Sequence, residues 1–142
     1  MARYKDQIVT DVLGKQLQPG EQLQHWAYGV KQPHILLILL LMCLAILPGA
    51  IAVAIMTKEY VIGLTSHRLI VLQVKGGKAT IVGKTEYNRA ALPPAKTSTG
   101  GIFTHIDIKD PQRPFVAKFH RMGMPNNRDH SMAIAAALPK AA

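Results

Sequence analysis

The sequence predicts an α+β protein in which a single transmembrane helix precedes a small antiparallel sheet or barrel, capped by a C-terminal helix. Three observations predict this class. Residues 35–56 form a run without a charged side chain, and residues 60–120 contain short alternating runs rich in Val, Ile, Leu and Tyr. A last run with helical spacing ends before Pro139. The chain therefore divides into segments 1–34, 35–56 and 58–142.

The first segment, residues 1–34, is predicted to hold a short amphipathic helix and a stretch that leads to the membrane. A Pro19-Gly20 pair ends this helix, and residues 23–30 are predicted to be extended. Trp26 and Tyr28 precede the apolar run, where aromatic rings favour the lipid headgroup layer. A compatible alternative packs both rings on the amphipathic helix. Its apolar positions are Ile8, Val9, Val12, Leu13 and Leu17.

Residues 35–56 are the predicted transmembrane helix. A helix of this length measures about 33 Å at roughly 1.5 Å per residue, and a bilayer core is about 30 Å thick. The run lies too far from the N-terminus for a secretory signal peptide, and no cleavage site follows it. Pro48-Gly49 leaves two interpretations: one tilted span with a kink, which is our prediction, or a helical hairpin that turns there with arms too short to span.

The charge distribution predicts the orientation of that span. The chain has a net charge of +9, and most Lys and Arg residues follow the apolar run. Positive residues near a span stay on the cytoplasmic side, which predicts a single-pass protein of the inner membrane with a cytoplasmic C-terminal domain. No helix-turn-helix, zinc-finger or RNA-recognition pattern points to nucleic acid. The candidate lipid contacts are Trp26, Tyr28, Lys31, Lys58, Tyr60, Arg68, Lys75 and Lys78.

The C-terminal segment has the alternation of a small sheet followed by a helix. Gly76-Gly77 is typical of a hairpin turn, and Pro93-Pro94 and residues 97–101 are predicted to be loops. Asn126 or Asn127 is placed to cap a helix that ends at Leu138. The predicted strands are Tyr60–Leu64, Arg68–Val74, Ala79–Val82 with an extension towards Glu86, Ile102–Ile108 and Phe115–His120.

The segment Tyr60-Val61-Ile62-Gly63-Leu64-Thr65-Ser66-His67-Arg68-Leu69-Ile70-Val71 resembles the signature that opens the bacterial pleckstrin-homology-like domain. Members of that family commonly carry a Pro-Gly-Glu segment, like Pro19-Gly20-Glu21 here, before their membrane helices. The resemblance implies a pleckstrin-homology-like fold over residues 60–138. Such proteins usually have two membrane helices, whereas this chain has room for one full span. It also lacks the basic pocket by which eukaryotic members bind phosphoinositides.

Catalytic chemistry is not predicted. The six histidines are scattered, without an H-E-x-x-H motif or a cysteine partner, and Cys43 is alone inside the apolar run. His34 begins that run and is a weak candidate ligand for a membrane cofactor, although an interfacial histidine is more often simply hydrated. The sequence therefore predicts no enzyme, no cofactor and no metal.

The resulting functional hypothesis is a non-catalytic, membrane-anchored interaction or scaffolding module. Its partners would be membrane lipids and other integral membrane protein subunits, so that the chain is an accessory or assembly subunit of a larger complex. Because the resembled family includes assembly factors of photosynthetic complexes, the resemblance implies that the larger complex could be a photosynthetic one. The alternative is a sensor of anionic lipids, acting through Lys58, Arg68, Lys75 and Lys78. For Arg68, a structural role within the sheet is favoured over a contact with lipid phosphate.

Overall fold

The computed structural model describes residues 2–141 and contains a seven-stranded antiparallel sheet with four α-helices. Residues 1 and 142, the ends of the first and third predicted segments, lie outside the described residues. A short 3₁₀ helix, Arg89–Ala91, follows the fourth strand. In chain order the elements are α1 Asp6–Gly14, β1 Leu23–Lys31, α2 Ile35–Leu44, α3 Ile46–Met56, β2 Lys58–Thr65, β3 Arg68–Lys75, β4 Thr80–Asn88, β5 Ala95–Ser98, β6 Phe103–Ile108, β7 Phe115–His120 and α4 Asn127–Ala137.

The strand order across the sheet is β4-β3-β2-β1-β7-β6-β5. Strand β1 is therefore at the centre, paired with β2 on one side and with β7 on the other. The sheet begins at Leu23 rather than after the apolar run, so residues on both sides of that run belong to one sheet. Gly29 permits a close approach there, because a Cβ atom would lie 2.9 Å from Cζ of Phe119 on β7.

Side chains on both faces of β2 and β3 are buried. On one face, Val61 and Ile70 pack in a cluster that includes Val9 and Leu13 of α1. On the other face, the buried side chains of β2 and β3 share a cluster with Ile134 of α4. This double coverage explains why β2 and β3 are nearly continuous apolar runs, since neither face meets water.

The three strands β5, β6 and β7 have only one buried face. Ile106 and Phe119 point into the core, where each is at most 1% exposed. Register pairs place the alternate residues together on the outer face, and these are Lys96, Ser98, His105, Asp107, Val116 and Lys118. Thr97 and Ser98 were predicted to lie in a loop, but they belong to β5, whose four residues pair with β6.

The apolar run is the part of the fold where the sequence-based prediction is wrong. Helix α2 ends at Leu44, Ala45 is extended, and α3 begins at Ile46. No helix within residues 2–141 combines the length and the apolarity that crossing a bilayer requires. The predicted fold class with a transmembrane helix over 35–56 is therefore wrong, and so is the predicted single-pass inner-membrane protein with a cytoplasmic C-terminal domain.

Instead, α2 and α3 form a helical hairpin, Ile35–Met56, hereafter called the hairpin. It turns at Ala45 and not at Pro48-Gly49, the position considered in the alternative interpretation. Pro48 is the third residue of α3, where its missing N–H costs no intrahelical hydrogen bond. The physical reason for the turn is that the strands on either side of the run, β1 and β2, are antiparallel neighbours. The connection must therefore return to the same end of the sheet from which it left.

Candidate functional site

The two helices of the hairpin pack on each other through a narrow inner face. Gly49 is the buried residue of this face, and a Cβ atom there would lie 2.7 Å from the carbonyl carbon of Leu41. Glycine therefore sets the close approach of the two helices. The half-buried neighbours recur at helical spacing on both helices, and they are Ile38, Leu41, Met42, Ala52 and Val53.

All other sides of the hairpin are exposed and apolar. Near the turn, Leu44 is 76% exposed and Ile46 is 74% exposed, and Ile55 near the end of α3 is 78% exposed. The hairpin carries no charged residue over its whole length. Contiguous apolar surfaces of this kind mark sites that bind proteins or membranes.

The point where the hairpin joins the sheet, hereafter called the root, is basic. Lys31 is the last residue of β1 and Lys58 is the first residue of β2, and the two are register partners across the antiparallel pair. Like charges directly opposite each other destabilise a strand pair. A bound anion would relieve this repulsion, so the pair is a chemically sensible place for one.

A cleft of about 490 Å³ lies beside α2 at the root, hereafter called the α2 cleft. One wall is the outer face of β5, β6 and β7, which contributes Lys96, Lys118, Ser98, His105, Asp107 and Val116. The other wall is the beginning of α2 with Ile35 and Ile38, and Lys31 lies at the edge. The cleft is therefore lined both by apolar side chains and by three lysines.

A second cleft, of about 860 Å³, lies on the other side of the root beside α3. We call it the α3 cleft. Ile51, Ile55 and Val82 supply its apolar lining, and the basic residues are Arg3, Lys58 and Lys75. The root is thus flanked on both sides by clefts in which apolar hairpin residues stand next to cationic residues of the sheet and the N-terminal segment.

The lysines at the root are not neutralised by the sheet. Among residues 2–141, no carboxylate lies within 4.0 Å of the ammonium group of any of them. In the α2 cleft, Asp107 is paired with Lys109 at 2.6 Å, and the Lys118 ammonium lies 4.7 Å from the centroid of the Phe103 ring. The root lysines are Lys31, Lys58, Lys75, Lys96 and Lys118.

The three aromatic residues predicted to contact lipid, Trp26, Tyr28 and Tyr60, instead make contacts within the fold. The Trp26 indole N–H donates to Asp6 at 2.7 Å, so this ring packs on α1, as the alternative interpretation proposed. Tyr28 is 8% exposed, and its hydroxyl donates to Glu59 at 2.9 Å. The Tyr60 ring meets Phe115 edge to face at a centroid distance of 5.0 Å. None of the three lies among the residues that line the root clefts.

Arg68 is held in a network of hydrogen bonds and ion pairs. Its guanidinium donates to Glu21 at 3.0 Å, and it also contacts Glu86 and the carbonyl oxygen of Gln16. Burial alone raises the pKa of the Glu21 carboxyl, but hydrogen bonds from Arg68 and Thr65 outweigh burial and hold that pKa at about 2. These contacts give Arg68 a structural role within the fold, which is the role that the sequence analysis favoured over a contact with lipid phosphate.

The remaining predicted positions have separate locations. Lys31, Lys58 and Lys75 are at the root, whereas Lys78 lies in the exposed turn between β3 and β4 and lines neither cleft. His34 caps α2, its Nδ1 accepting from the Leu36 N–H at 3.2 Å. Within residues 2–141, no three His, Cys, Asp or Glu side chains are grouped closely enough to hold a metal ion.

Sequence reasoning missed Lys96 and Lys118, and it did not single out Arg3. The alternation of β7 indicates that Lys118 and Val116 point away from the core, which was the available local signal. Their position beside α2 depends on the pairing of β7 with β1, and the register pair Val30–Lys118 shows that pairing. No sequence pattern within β5 or β7 alone indicates that these strands lie beside α2.

Comparison with known proteins adds little to this description. No family model matches the chain, and no curated protein matches it. A solved structure, the hSac2 domain from human phosphoinositide phosphatase Sac2, is similar with a TM-score of 0.49 and 9% sequence identity. The match covers 92% of this chain and 76% of that chain. A similarity at this level supports no argument about function.

Proposed function

We propose that this protein is a non-catalytic, lipid-attached interaction module whose hairpin inserts into one leaflet of an anionic bilayer. The observation that carries the proposal is the uncharged hairpin, exposed on its outer sides, with a basic root. The root lysines would lie at the level of the lipid headgroups, and the sheet would remain outside the hydrocarbon.

The dimensions of the hairpin fit one leaflet. Helix α2 has 10 residues and α3 has 11 residues, which gives lengths of about 15 Å and 17 Å at roughly 1.5 Å per residue. One leaflet supplies about half of a hydrocarbon core that is about 30 Å thick. The turn at Ala45 would therefore lie near the middle of the bilayer while both ends stay at the same surface.

Part of the backbone at the turn is hydrogen-bonded within the hairpin. The Ala45 N–H donates to the carbonyl oxygen of Leu41 at 3.3 Å, and the Gly49 N–H donates to that of Ala45 at 2.9 Å. Pro48 has no N–H group. Of these features, the missing N–H of Pro48 leaves one fewer unpaired donor in the first turn of α3, which matters because each unpaired group costs several kcal/mol in lipid.

Apolar contacts and charge would act together. Burying one exposed Leu or Ile side chain contributes about 1.5–3 kcal/mol, and the hairpin exposes several such side chains. Each Lys near an anionic surface adds about 1 kcal/mol. The hairpin would therefore supply most of the attachment, and the root lysines would give the preference for anionic over zwitterionic lipid.

Vesicle flotation of the full chain tests the proposal. We expect the protein to float with vesicles that contain phosphatidylglycerol, and more weakly with pure phosphatidylcholine. The double variant Leu44→Asp, Leu47→Asp should abolish flotation, because two charges would enter the hydrocarbon. The matched control is Ile102→Asp, Met122→Asp, which changes two exposed apolar residues outside the hairpin and both clefts. It should float like the unchanged protein.

The accessory-subunit hypothesis predicts a different result. If the hairpin packs on the helices of another membrane protein, the purified chain should not float by itself, and the aspartate variants should instead lose a stoichiometric partner during mild solubilisation. Equal flotation of the hairpin variant and its control would contradict insertion directly. A link to photosynthetic complexes remains a prediction from family resemblance.

A further inference from the structure

We propose that the α2 cleft binds a single phosphate-bearing amphiphile, with its phosphate among Lys31, Lys96 and Lys118 and its acyl chain along Ile35 and Ile38. This inference rests on the proposed function, because it assumes that the hairpin lies in lipid. It adds a defined binding site, with one ligand molecule per chain, to a surface that otherwise attracts anionic lipids in general.

The charges of the α2 cleft favour an anion. Three lysines line it against one aspartate, and that aspartate, Asp107, is already paired with Lys109. The beginning of α2 also lies at the cleft, since Pro33 and Ile35 line it, and the N-terminal end of a helix carries a partial positive charge. The Ser98 hydroxyl adds a polar group on the same wall that can donate to a phosphate oxygen.

The apolar lining of the α2 cleft favours an acyl chain over a free anion. Ile35 is 60% exposed and Val116 is 43% exposed, and they line the cleft with Val30 and Ile38. From Ile35, the exposed side of α2 continues without a charge to Leu44. A chain that leaves the phosphate along this helix therefore stays on apolar surface as far as the turn.

The charges of the α2 cleft distinguish it from the α3 cleft. The volumes of both clefts, about 490 Å³ and about 860 Å³, fall within the range of about 300–1,000 Å³ that is typical of ligand sites. In the α3 cleft, the Arg3 guanidinium is engaged by Glu59 at 2.8 Å. The α2 cleft therefore offers the larger number of cations that lack a carboxylate partner among the described residues.

The test is titration of the full chain, in a non-ionic detergent, with short-chain probes that do not form vesicles. The probes are dihexanoyl phosphatidic acid, dihexanoyl phosphatidylcholine and inorganic phosphate. The binding of each probe is measured by calorimetry and by the chemical shifts of backbone amides. We expect saturable binding of phosphatidic acid with one molecule per chain. Phosphatidylcholine and inorganic phosphate should each bind about tenfold more weakly or less.

Variants locate the site. Lys96→Gln, Lys118→Gln should weaken phosphatidic acid binding about tenfold or more, and Val116→Asn should weaken it without changing the charge. The control Lys15→Gln, Lys78→Gln removes the same charge from exposed positions outside the α2 cleft, and it should leave the affinity within about twofold. Shifts should centre on Ser98, His105 and Lys118.

Three results would overturn this inference. Inorganic phosphate that binds as tightly as phosphatidic acid would show a free-anion site without a chain groove. Equal effects of the two lysine pairs would show attraction by net charge alone, and a non-saturable titration would show no site. Each of these results is compatible with flotation of the unchanged protein, so failure here is distinguishable from failure of the hairpin to insert.

Discussion

Two apolar regions of this chain have opposite relations to their surroundings. The core side chains of the sheet, such as Ile70 and Ile106, are at most 1% exposed and are covered by helices or by neighbouring strands. The hairpin has an equally apolar composition, yet Leu47 is 71% exposed. A sequence of apolar residues therefore does not by itself decide burial within the protein. What decides it is whether the strand pairing brings another element of the chain against it.

The largest expected effect compares one charge placed in each region. Ile106→Asp should unfold the sheet, because a buried unpaired carboxylate costs a large part of a total stability that is typically about 5–15 kcal/mol. Leu47→Asp should keep the thermal transition of the sheet, since its side chain leaves the core untouched. Circular dichroism melts of both variants in mild detergent check this. A normal melt for Ile106→Asp would contradict the described core.

A smaller effect is expected from the Glu21–Arg68 pair, which ties residues before the hairpin to residues after it. Glu21→Gln should destabilise the fold by about 3 kcal/mol, because the partly buried Arg68 loses the buried one of its two carboxylate partners. The control Glu86→Gln changes the more exposed partner of the same guanidinium and should cost about 1 kcal/mol or less. If urea unfolding showed equal losses in the free energy of unfolding for the two variants, Glu21 would not be the main partner of Arg68.

The same pair predicts the response to acid. The pKa of Glu21 is lowered to about 2 in the folded chain, so the stability that it contributes is complete above its ordinary value of 4.5 and is lost as the pH falls towards 2. The Glu21→Gln variant should therefore lose less stability than the unchanged protein over this range. Urea unfolding midpoints at several pH values check the sign. A parallel loss in both proteins would contradict it.

The smallest expected effect concerns His130, whose Nδ1 lies 3.2 Å from that of His25. Burial, and then the neighbouring His25, lower the pKa of His130, while Asp6 and Asp129 act in the opposite direction. The unfolded chain therefore binds this proton more readily, and stability should fall as the pH drops below the ordinary value of 6.5. His130→Phe should reduce the slope of Tm between pH 7.5 and 5.5. An unchanged slope would contradict the assignment.

Local sequence patterns were sufficient to predict those helices and strands that are determined by their own residues. Alternation and β-branched composition identified the regions of β2, β3, β6 and β7, and helical spacing before Pro139 identified α4. Strand β5 was missed because its four residues carry no pattern of their own and are ordered by pairing with β6. Asn126 or Asn127 was expected to cap α4. Asn126 is the N-cap residue, but its side chain makes no capping hydrogen bond, and the buried side chain of Asn127 instead binds the backbone of Tyr28 on β1.

The hairpin and its root depend on contacts that are distant in sequence. Alanine is a strong helix former, so nothing at Ala45 indicates the end of a helix. The break follows from the pairing of Lys31 with Lys58, which requires the intervening residues to return. Likewise, Lys96 and Lys118 join the α2 cleft only through the order of strands in the sheet. A single sequence shows that these lysines are present, but it does not show that they lie close together in the fold.

The most direct test of one-leaflet insertion uses a fluorophore whose emission dithionite destroys, attached at three cysteine positions. The native Cys43 is the chain's one cysteine, and in a Cys43→Ser background Gln32→Cys and Met56→Cys mark the two ends of the hairpin. After binding to sealed anionic vesicles, dithionite is added outside. We predict rapid loss of emission at positions 32 and 56 and protection at position 43. Loss at all three positions, or protection at only one of the two ends, would contradict insertion of the hairpin into a single leaflet.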